Sequence, residues 1–446
     1  MWSHTARNWR VWLAALALIA ALGIAMLRVT TLSNMSGVRL GASWALVDFR
    51  GVIYYPVRAF IDGANPYDRT AFRARYPVGM TFPPFLPSTL LIHLPFGVMP
   101  LALASMAYVA FSVGLTVLLG WAAVRASGVT SWTAALLAAA LVTLSRPGQW
   151  NLLLGQVTLQ VVLLCWVALH FAQRTPWLSG LALGVAAFKP TFALPIGVLM
   201  LARGNVKVVG IALVSALALN LPAAAILEHR AGALTLLLHN PARPYTSWAG
   251  RSQFSRHARL YHLDVYALFG RITGQLSHAA EAVIMILVLA VAALLIRRLR
   301  GSETTPGHQN LSEAIIFVAT LLCVHHLDYD LLLLAFPVAA LVYRRTPGLL
   351  ENAAVRRGML CLFALMAANY VSTQSVLDRF APGASVWRFA LASANTLALI
   401  LIFAVYGLTV LRLPSARVVP ALDDPLRADK PWGSAQSESA RARDGG

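Results

Sequence analysis

The chain alternates between long apolar runs and short polar segments. A helix needs about 20 apolar residues to cross the hydrocarbon core of a bilayer. Apolar runs of this length, or close to it, lie at about 11–27, 103–124, 131–145, 152–172, 178–201, 208–227, 277–296, 311–327, 331–343, 358–377 and 387–411. The pattern predicts an all-α integral membrane protein with about ten to twelve transmembrane helices.

The composition of the 446 residues supports this interpretation. The chain is 58% hydrophobic and 12% charged, which excludes an ordinary soluble domain. A net charge of +19 alone would suggest nucleic-acid binding, but the apolar runs leave no soluble basic domain, so we expect no nucleic-acid partner. The three cysteines lie in apolar runs and predict neither disulfides nor a metal site, and we see no phosphate-binding loop that would indicate a cofactor.

Short basic loops set the expected topology. Arginine clusters belong on the cytoplasmic side, and they occur at 297–300, 344–345 and 356–357. The N-terminus is then inside, and the loops at about 28–82 and 228–276 share an outer chamber with the junction 325–330. We therefore expect a membrane domain over 1–412 in the plasma membrane, followed by a disordered cytoplasmic tail over 413–446.

The run at 84–99 contains Pro87 and Pro95 and leaves two topologies open. If it spans the membrane, Arg146 lies inside. If it is re-entrant, the sides reverse, and Gln149, Asn151 and possibly Lys189 come near the outer chamber.

The first outer loop carries a candidate base, Asp48. Apolar residues at 49, 52, 53, 57, 60 and 61 repeat at helical spacing and predict a short amphipathic helix in the membrane interface, ending at Gly63. Asp48 at its start is either an N-cap or a general base facing the chamber. We expect its carboxylate to be ionised near neutral pH, because water and the helix dipole favour the anion.

Two further polar residues interrupt apolar runs. Lys189, followed by Pro190, is an intramembrane cation that either contacts a phosphate, snorkels to the surface, or pairs with a buried carboxylate. Gln156 is either a companion phosphate contact or a hydrogen bond between helices.

The junction His325-His326-Leu327-Asp328-Tyr329-Asp330 concentrates polar side chains between two apolar runs. Its spacing matches no zinc signature, and a capped, solvated turn or binding of sugar and phosphate remain as alternatives. The second outer loop interleaves arginines, among them Arg256, with aromatic residues, which suits either anionic lipid head groups or a phosphorylated acceptor.

Several of these residues form an ordered set that resembles one family. The set comprises Asp48-Phe49, Tyr54-Tyr55, 63–68, Tyr76-Pro77, 82–84, Gly155-Gln156, Gly180, Gly184, Lys189-Pro190 and 325–330. In this order they resemble the family-87 integral-membrane glycosyltransferases, which take sugars from polyprenyl-phosphate donors.

The resemblance implies a GT-C type bundle that inverts the sugar carbon at the outer face. By the same resemblance Asp48 is the general base, Lys189 and Gln156 bind the donor phosphate, and sugar or acceptor binding falls to His325, His326, Asp328, Tyr55, Arg58 and Arg256. The implied reaction moves mannose from polyprenyl-phosphate mannose to a lipid-linked or cell-envelope glycan. Alternatives are a pentose (arabinofuranosyl) donor, an enzyme resembling O-antigen ligases with its chemistry in the second outer loop, and a glycolipid transporter or flippase.

Overall fold

The polypeptide is helical wherever the structure, a computed structural model, describes it. The described residues are 2–33, 45–78, 82–83, 85–231, 262–274, 277–300, 305–370, 377 and 386–414. They contain no β-strand, and the all-α membrane fold predicted from the sequence is confirmed. Arg256 and almost all of the predicted tail lie outside these residues.

The helices follow the apolar runs closely. They are α1 Trp2–Ser33, α2 Tyr55–Ile61, α3 Arg69–Arg75, α4 Ser88–Ile92, α5 Leu94–Gly97, α6 Leu101–Ala126, α7 Trp132–Leu144, α8 Arg146–Leu154, α9 Thr158–His170, α10 Pro176–Ala186, α11 Pro190–Arg203, α12 Val206–Ala231, α13 Val265–Thr273, α14 His278–Leu299, α15 Pro306–Cys323, α16 Ala335–Val342, α17 Ala353–Ala367 and α18 Val386–Arg412. Tight 3₁₀ helices add Asp328–Leu334 and Gly348–Glu351, and a π-helix covers Phe49–Tyr54.

Among the described residues, five helices are long and apolar enough to cross a membrane: α1, α6, α12, α14 and α18. The pair α8–α9 would make a sixth if it counts as one span, but it bends by 120°. The other predicted runs form shorter or interrupted helices. The apolar runs therefore outnumber the uninterrupted spans seen in this part of the chain.

Three apolar runs are broken where polar residues occur. The run 152–172 breaks between α8 and α9, and the run 178–201 breaks between α10 and α11, where Pro190 begins a new helix. The third break follows α15, at the junction 325–330. Broken helices within a membrane are tolerated where the freed backbone is buried in protein or lines a cavity.

Helix α15 forms the centre of the bundle, because every side chain from Leu311 to Cys323 is buried. It packs against α14 and α18, while α10 packs against α12 and α9. At Gly184 an added Cβ would lie 2.6 Å from the Cβ of Ser215, so the small residue permits the close contact of α10 with α12.

The segment 84–99 does not form a spanning helix. Helices α4 and α5 together cover the ten residues from Ser88 to Gly97, which is about 15 Å at the α-helical rise, or half of a hydrocarbon core. This length fits the re-entrant alternative. Contacts of Arg146 with Asp328 and of Gln149 with Arg28 agree, since they place α8 beside the junction and the end of α1.

The predicted amphipathic helix of the first loop is present but has two parts. Its first turn is the π-helix, in which the Tyr55 N–H donates to the Arg50 carbonyl. Pro56 then starts α2, which ends before Gly63 at a φ of +72°. A π-turn widens the helix and is frequent at functional sites. Its apolar side chains pack against the protein core.

Candidate active site

The turn at Gly155 brings the first loop into contact with the break between α8 and α9. Gly155 has a φ of +69°, which favours glycine, and an added Cβ would lie 2.6 Å from the Cβ of Phe49. The Phe49 ring in turn stacks on Tyr108, with centroids 4.6 Å apart. This close approach places Gln156 beside Asp48.

Asp48 is buried, with 3% of its surface exposed. The Gln156 side-chain amide donates a hydrogen bond to its Oδ2, whereas Oδ1 is buried and has no hydrogen-bond partner among the described residues. Asp48 has helical dihedral angles, and its side chain accepts no capping bond. The N-cap alternative is therefore wrong for this residue, and so is the expectation that water reaches it.

The electrostatic surroundings of Asp48 oppose its ionisation. Burial raises the pKa of Asp48 to about 7, although the hydrogen bond from Gln156 and the positive charge of Lys189 both lower it. The carboxyl group is therefore balanced between its two protonation states near neutral pH. A general base is most effective when its pKa lies near the working pH.

Lys189 lies just before α11 and forms a buried ion pair with Asp330. The Lys189 Nζ atom is 2.8 Å from Asp330 Oδ1 and 3.3 Å from the Thr158 hydroxyl, which donates to the same carboxylate oxygen at 3.0 Å. The premise that Lys189 is a lone cation is thus wrong, because the alternative of a buried carboxylate partner is what the structure shows. Burial would raise the pKa of Asp330, but Lys189 and the hydrogen bond from His326 hold it below its usual range.

His326 completes this cluster from the junction. Its Nδ1 atom is 3.0 Å from Asp330 Oδ2, and its ring packs edge-on against Phe192 of α11 with centroids 4.6 Å apart. The imidazole is fully buried, and its Nε2 atom has no hydrogen-bond partner among the described residues. His326 thus has one ring nitrogen left to bind a polar ligand.

Asp328 has a structural partner, Arg146 of α8, at 2.6 Å. The Asn395 amide of α18 donates to the other Asp328 oxygen at 2.9 Å, and Asn369 donates to the Asn395 carbonyl at 2.8 Å. These buried contacts anchor the junction to two helices. They occupy both carboxylate oxygens of Asp328, so the described geometry gives it an anchoring part.

The remaining predicted residues lie apart from this cluster or outside the described chain. The Tyr55 ring contacts Tyr54 and Tyr76, at centroid distances of 5.1 and 5.8 Å. Arg58 is exposed and lies 3.6 Å from Asp62. Both are in the first loop, beyond Asp48. Arg256 lies outside the described residues.

His325 faces a different partner from His326. Its Nδ1 atom is 3.0 Å from Nδ1 of His262, at the start of the segment that leads into α13. With Asp264, these histidines form a group whose potential ligand atoms all lie within 4.8 Å of one another.

Sequence reasoning missed several members of the site. Thr158, Arg146, His262 and Asp264 carry no motif, and the last two are about 60 residues from the junction. Thr158 is two residues after Gln156, which was the one available signal. Asn151 was noted only as near the chamber, yet it is fully buried and both polar side-chain atoms lack hydrogen-bond partners among the described residues.

A buried carboxyl group, an ion-paired lysine and an imidazole grouped at helix breaks are typical of an integral membrane enzyme. The model of glycosyltransferase family 87 matches residues 81–324, more than half of the chain. The chain belongs to glycosyltransferase family 87, as its motifs indicated, and is a membrane glycosyltransferase that uses a sugar donor and an acceptor. No curated protein and no solved structure gives a significant match.

The matched range bears unevenly on the site. Gln156 and Lys189 lie within it, whereas Asp48 precedes it and the junction begins directly after it. The family match thus supports the enzyme class, while the part played by Asp48 depends on the geometry.

The raised pKa of Asp48 predicts how activity depends on pH. A carboxyl group accepts a proton only when it is ionised, so kcat/KM should rise with pH and reach half of its maximum near pH 7. Gln156→Leu removes a hydrogen bond that favours the anion, and should move this midpoint to higher pH. The measurement is initial transfer rate between about pH 5.5 and 8.5 in both proteins. A profile that is flat or falls across neutral pH would contradict the assignment of Asp48.

Proposed function

We propose that this glycosyltransferase moves a sugar, most often mannose, from a polyprenyl-phosphate donor to a lipid-linked or cell-envelope glycan at the outer face of the plasma membrane. The proposal is supported by the ordered motifs that resemble polyprenyl-phosphate-dependent enzymes and by the site around Asp48. The same site would also suit a pentose donor, so the identity of the sugar depends on the assay. Membership of a glycosyltransferase family argues against the transporter alternative.

The observation that carries the proposal is the state of the Asp48 carboxyl group. One oxygen is held by Gln156 and the other has no partner among the described residues, so the group is oriented and has a free position for an acceptor hydroxyl. In an inverting transfer the acceptor oxygen attacks the sugar C1, and the bond from C1 to the phosphate oxygen breaks. The hydroxyl proton passes to Asp48, and the electron pair of the broken bond leaves with the polyprenyl phosphate.

In this reaction Lys189 is the proposed contact of the donor phosphate. Its ammonium group is held by Asp330 and Thr158 at the N-terminal end of α11, close enough to Asp48 to affect its pKa. Helix N-termini favour anions, and α9 also begins at this point with Thr158. The phosphate would therefore meet a lysine and two helix N-termini.

The other predicted contacts divide into separate parts. The hydrogen bond to Asp48 makes Gln156 a residue that positions the base, in addition to its proposed contact with phosphate. His326 offers Nε2 to a sugar hydroxyl, and His325 lies beside it. We assign Tyr55, Arg58 and Arg256 to the acceptor side, because the first two lie further along the first outer loop. Anionic membrane lipids provide a second partner for the arginines of the second loop.

Substitution of Asp48 by asparagine tests the proposed base. Asparagine keeps the shape and can still accept the bond from Gln156, but it cannot take up a proton at neutral pH. We expect Asp48→Asn to lower kcat by about 100- to 10,000-fold with little change in the donor KM. The assay combines purified protein, radiolabelled polyprenyl-phosphate mannose and total envelope lipids, with analysis of the labelled product.

Asp68→Asn is the matched control for this substitution. Asp68 lies in the same loop and caps α3 through the N–H groups of Thr70 and Ala71, a part that asparagine fills equally well. Its activity should stay at the wild-type level. If a folded Asp48→Asn protein turns over as fast as this control, Asp48 is not the base.

Single cysteines test the proposed outer face. In a chain whose three native cysteines are replaced, Thr70→Cys on exposed α3 should react with an impermeant maleimide added to intact cells. Arg357→Cys, in a predicted cytoplasmic segment, should react only after the membrane is permeabilised. The opposite pattern would place the first loop, and Asp48 with it, on the cytoplasmic side.

A further inference from the structure

A second polar cluster lies next to the candidate active site and has the composition of a metal centre. It consists of His262, Asp264 and His325, whose potential ligand atoms all lie within 4.8 Å of one another. The Nδ1 atoms of the two histidines are 3.0 Å apart. Two nitrogen ligands bound to one tetrahedral zinc ion at about 2.0–2.1 Å each are separated by a little over 3 Å.

The carboxyl group of Asp264 is held in a fixed orientation with one oxygen unused. Oδ1 accepts a hydrogen bond of 2.7 Å from the Ala267 N–H and so caps α13. Oδ2 is buried and has no hydrogen-bond partner among the described residues. A buried carboxylate oxygen without a partner is costly, and a bound cation would satisfy it.

The backbone holds the two histidine-bearing segments side by side. His262 pairs with Leu327 in an isolated antiparallel bridge, and the Leu263 N–H donates to the His326 carbonyl at 3.0 Å. Arg271 of α13 donates to the His262 carbonyl at 3.2 Å. The ligand positions are therefore fixed by contacts that do not need a metal, which is the condition for a preformed site.

We propose that His262, Asp264 and His325 bind one divalent transition-metal ion, with zinc as the best match to two imidazoles and a carboxylate. The ion fixes the segment by which the second long loop returns to the bundle against the junction that carries His326. The motif spacing of the junction does not reveal this site, because two of its three ligands come from a distant part of the chain. The proposal does not depend on Asp48 or on the identity of the donor.

Zinc binding to the full-length protein in detergent tests the proposal. Protein stripped with a chelator and then equilibrated with Zn²⁺ alone should retain about one ion per chain, measured by elemental analysis after gel filtration. Asp264→Asn and His262→Gln should each weaken binding by about tenfold or more. Asparagine preserves the cap on α13, so Asp264→Asn separates loss of the ligand from loss of the helix.

Matched controls and a second readout keep the test decisive. His278→Gln alters an exposed histidine on α14 and should bind zinc like the wild type, as should Asp48→Asn. Zn²⁺ should raise the unfolding temperature of the wild-type protein but not that of Asp264→Asn. Zinc retention far below one ion per chain, or equal retention in all variants, would overturn the site and leave a histidine–histidine hydrogen bond alone.

Discussion

The buried ion pair between Lys189 and Asp330 is the interaction on which the candidate site depends. It joins the start of α11 to the junction after α15, and Thr158 adds the start of α9 to the same pair. Such a pair is costly to bury, and removing one partner typically costs about 3–5 kcal/mol because the other charge is left uncompensated. The pair exists because Pro190 breaks the apolar run, which places Lys189 before a helix and frees it from the middle of one. The three helix breaks are therefore held together by charge as well as by packing.

Asp48 joins this arrangement through Gln156, which lies two residues before Thr158 in the chain. The left-handed turn at Gly155 permits the first loop to approach, and the charge of Lys189 offsets part of the effect that burial has on the Asp48 pKa. The base, the proposed phosphate contact and the imidazole of His326 are thus linked by one continuous set of hydrogen bonds and short chain segments. A change at any of these points is expected to affect the protonation of Asp48 as well as the contact that it alters.

The sequence predicted the membrane fold and the residues of this site better than it predicted their partners. Apolar periodicity is a direct consequence of burial in lipid or protein, so the helices appear in the expected runs. Lys189, Gln156 and His326 were identified because polar side chains are rare within such runs. The ion pair with Asp330, the burial of Asp48 and the approach of His262 and Asp264 to His325 could not be predicted, because each depends on contacts between distant segments. The breaks in the runs at 152–172 and 178–201 were also missed, since hydropathy averages over a window and a three-residue interruption barely changes it.

The most direct test of this account is the donor KM of two variants at the ion pair. Lys189→Arg keeps the charge, whereas the double variant Lys189→Gln/Asp330→Asn removes both charges and leaves neither unpaired. With both proteins shown to fold by their unfolding temperatures, we expect Lys189→Arg to keep a donor KM near that of the wild type. The neutral pair should raise the donor KM by about tenfold or more, because a charged hydrogen bond to phosphate is worth about 1.5–3 kcal/mol. A folded neutral pair with the wild-type donor KM would contradict the claim that Lys189 binds the donor phosphate.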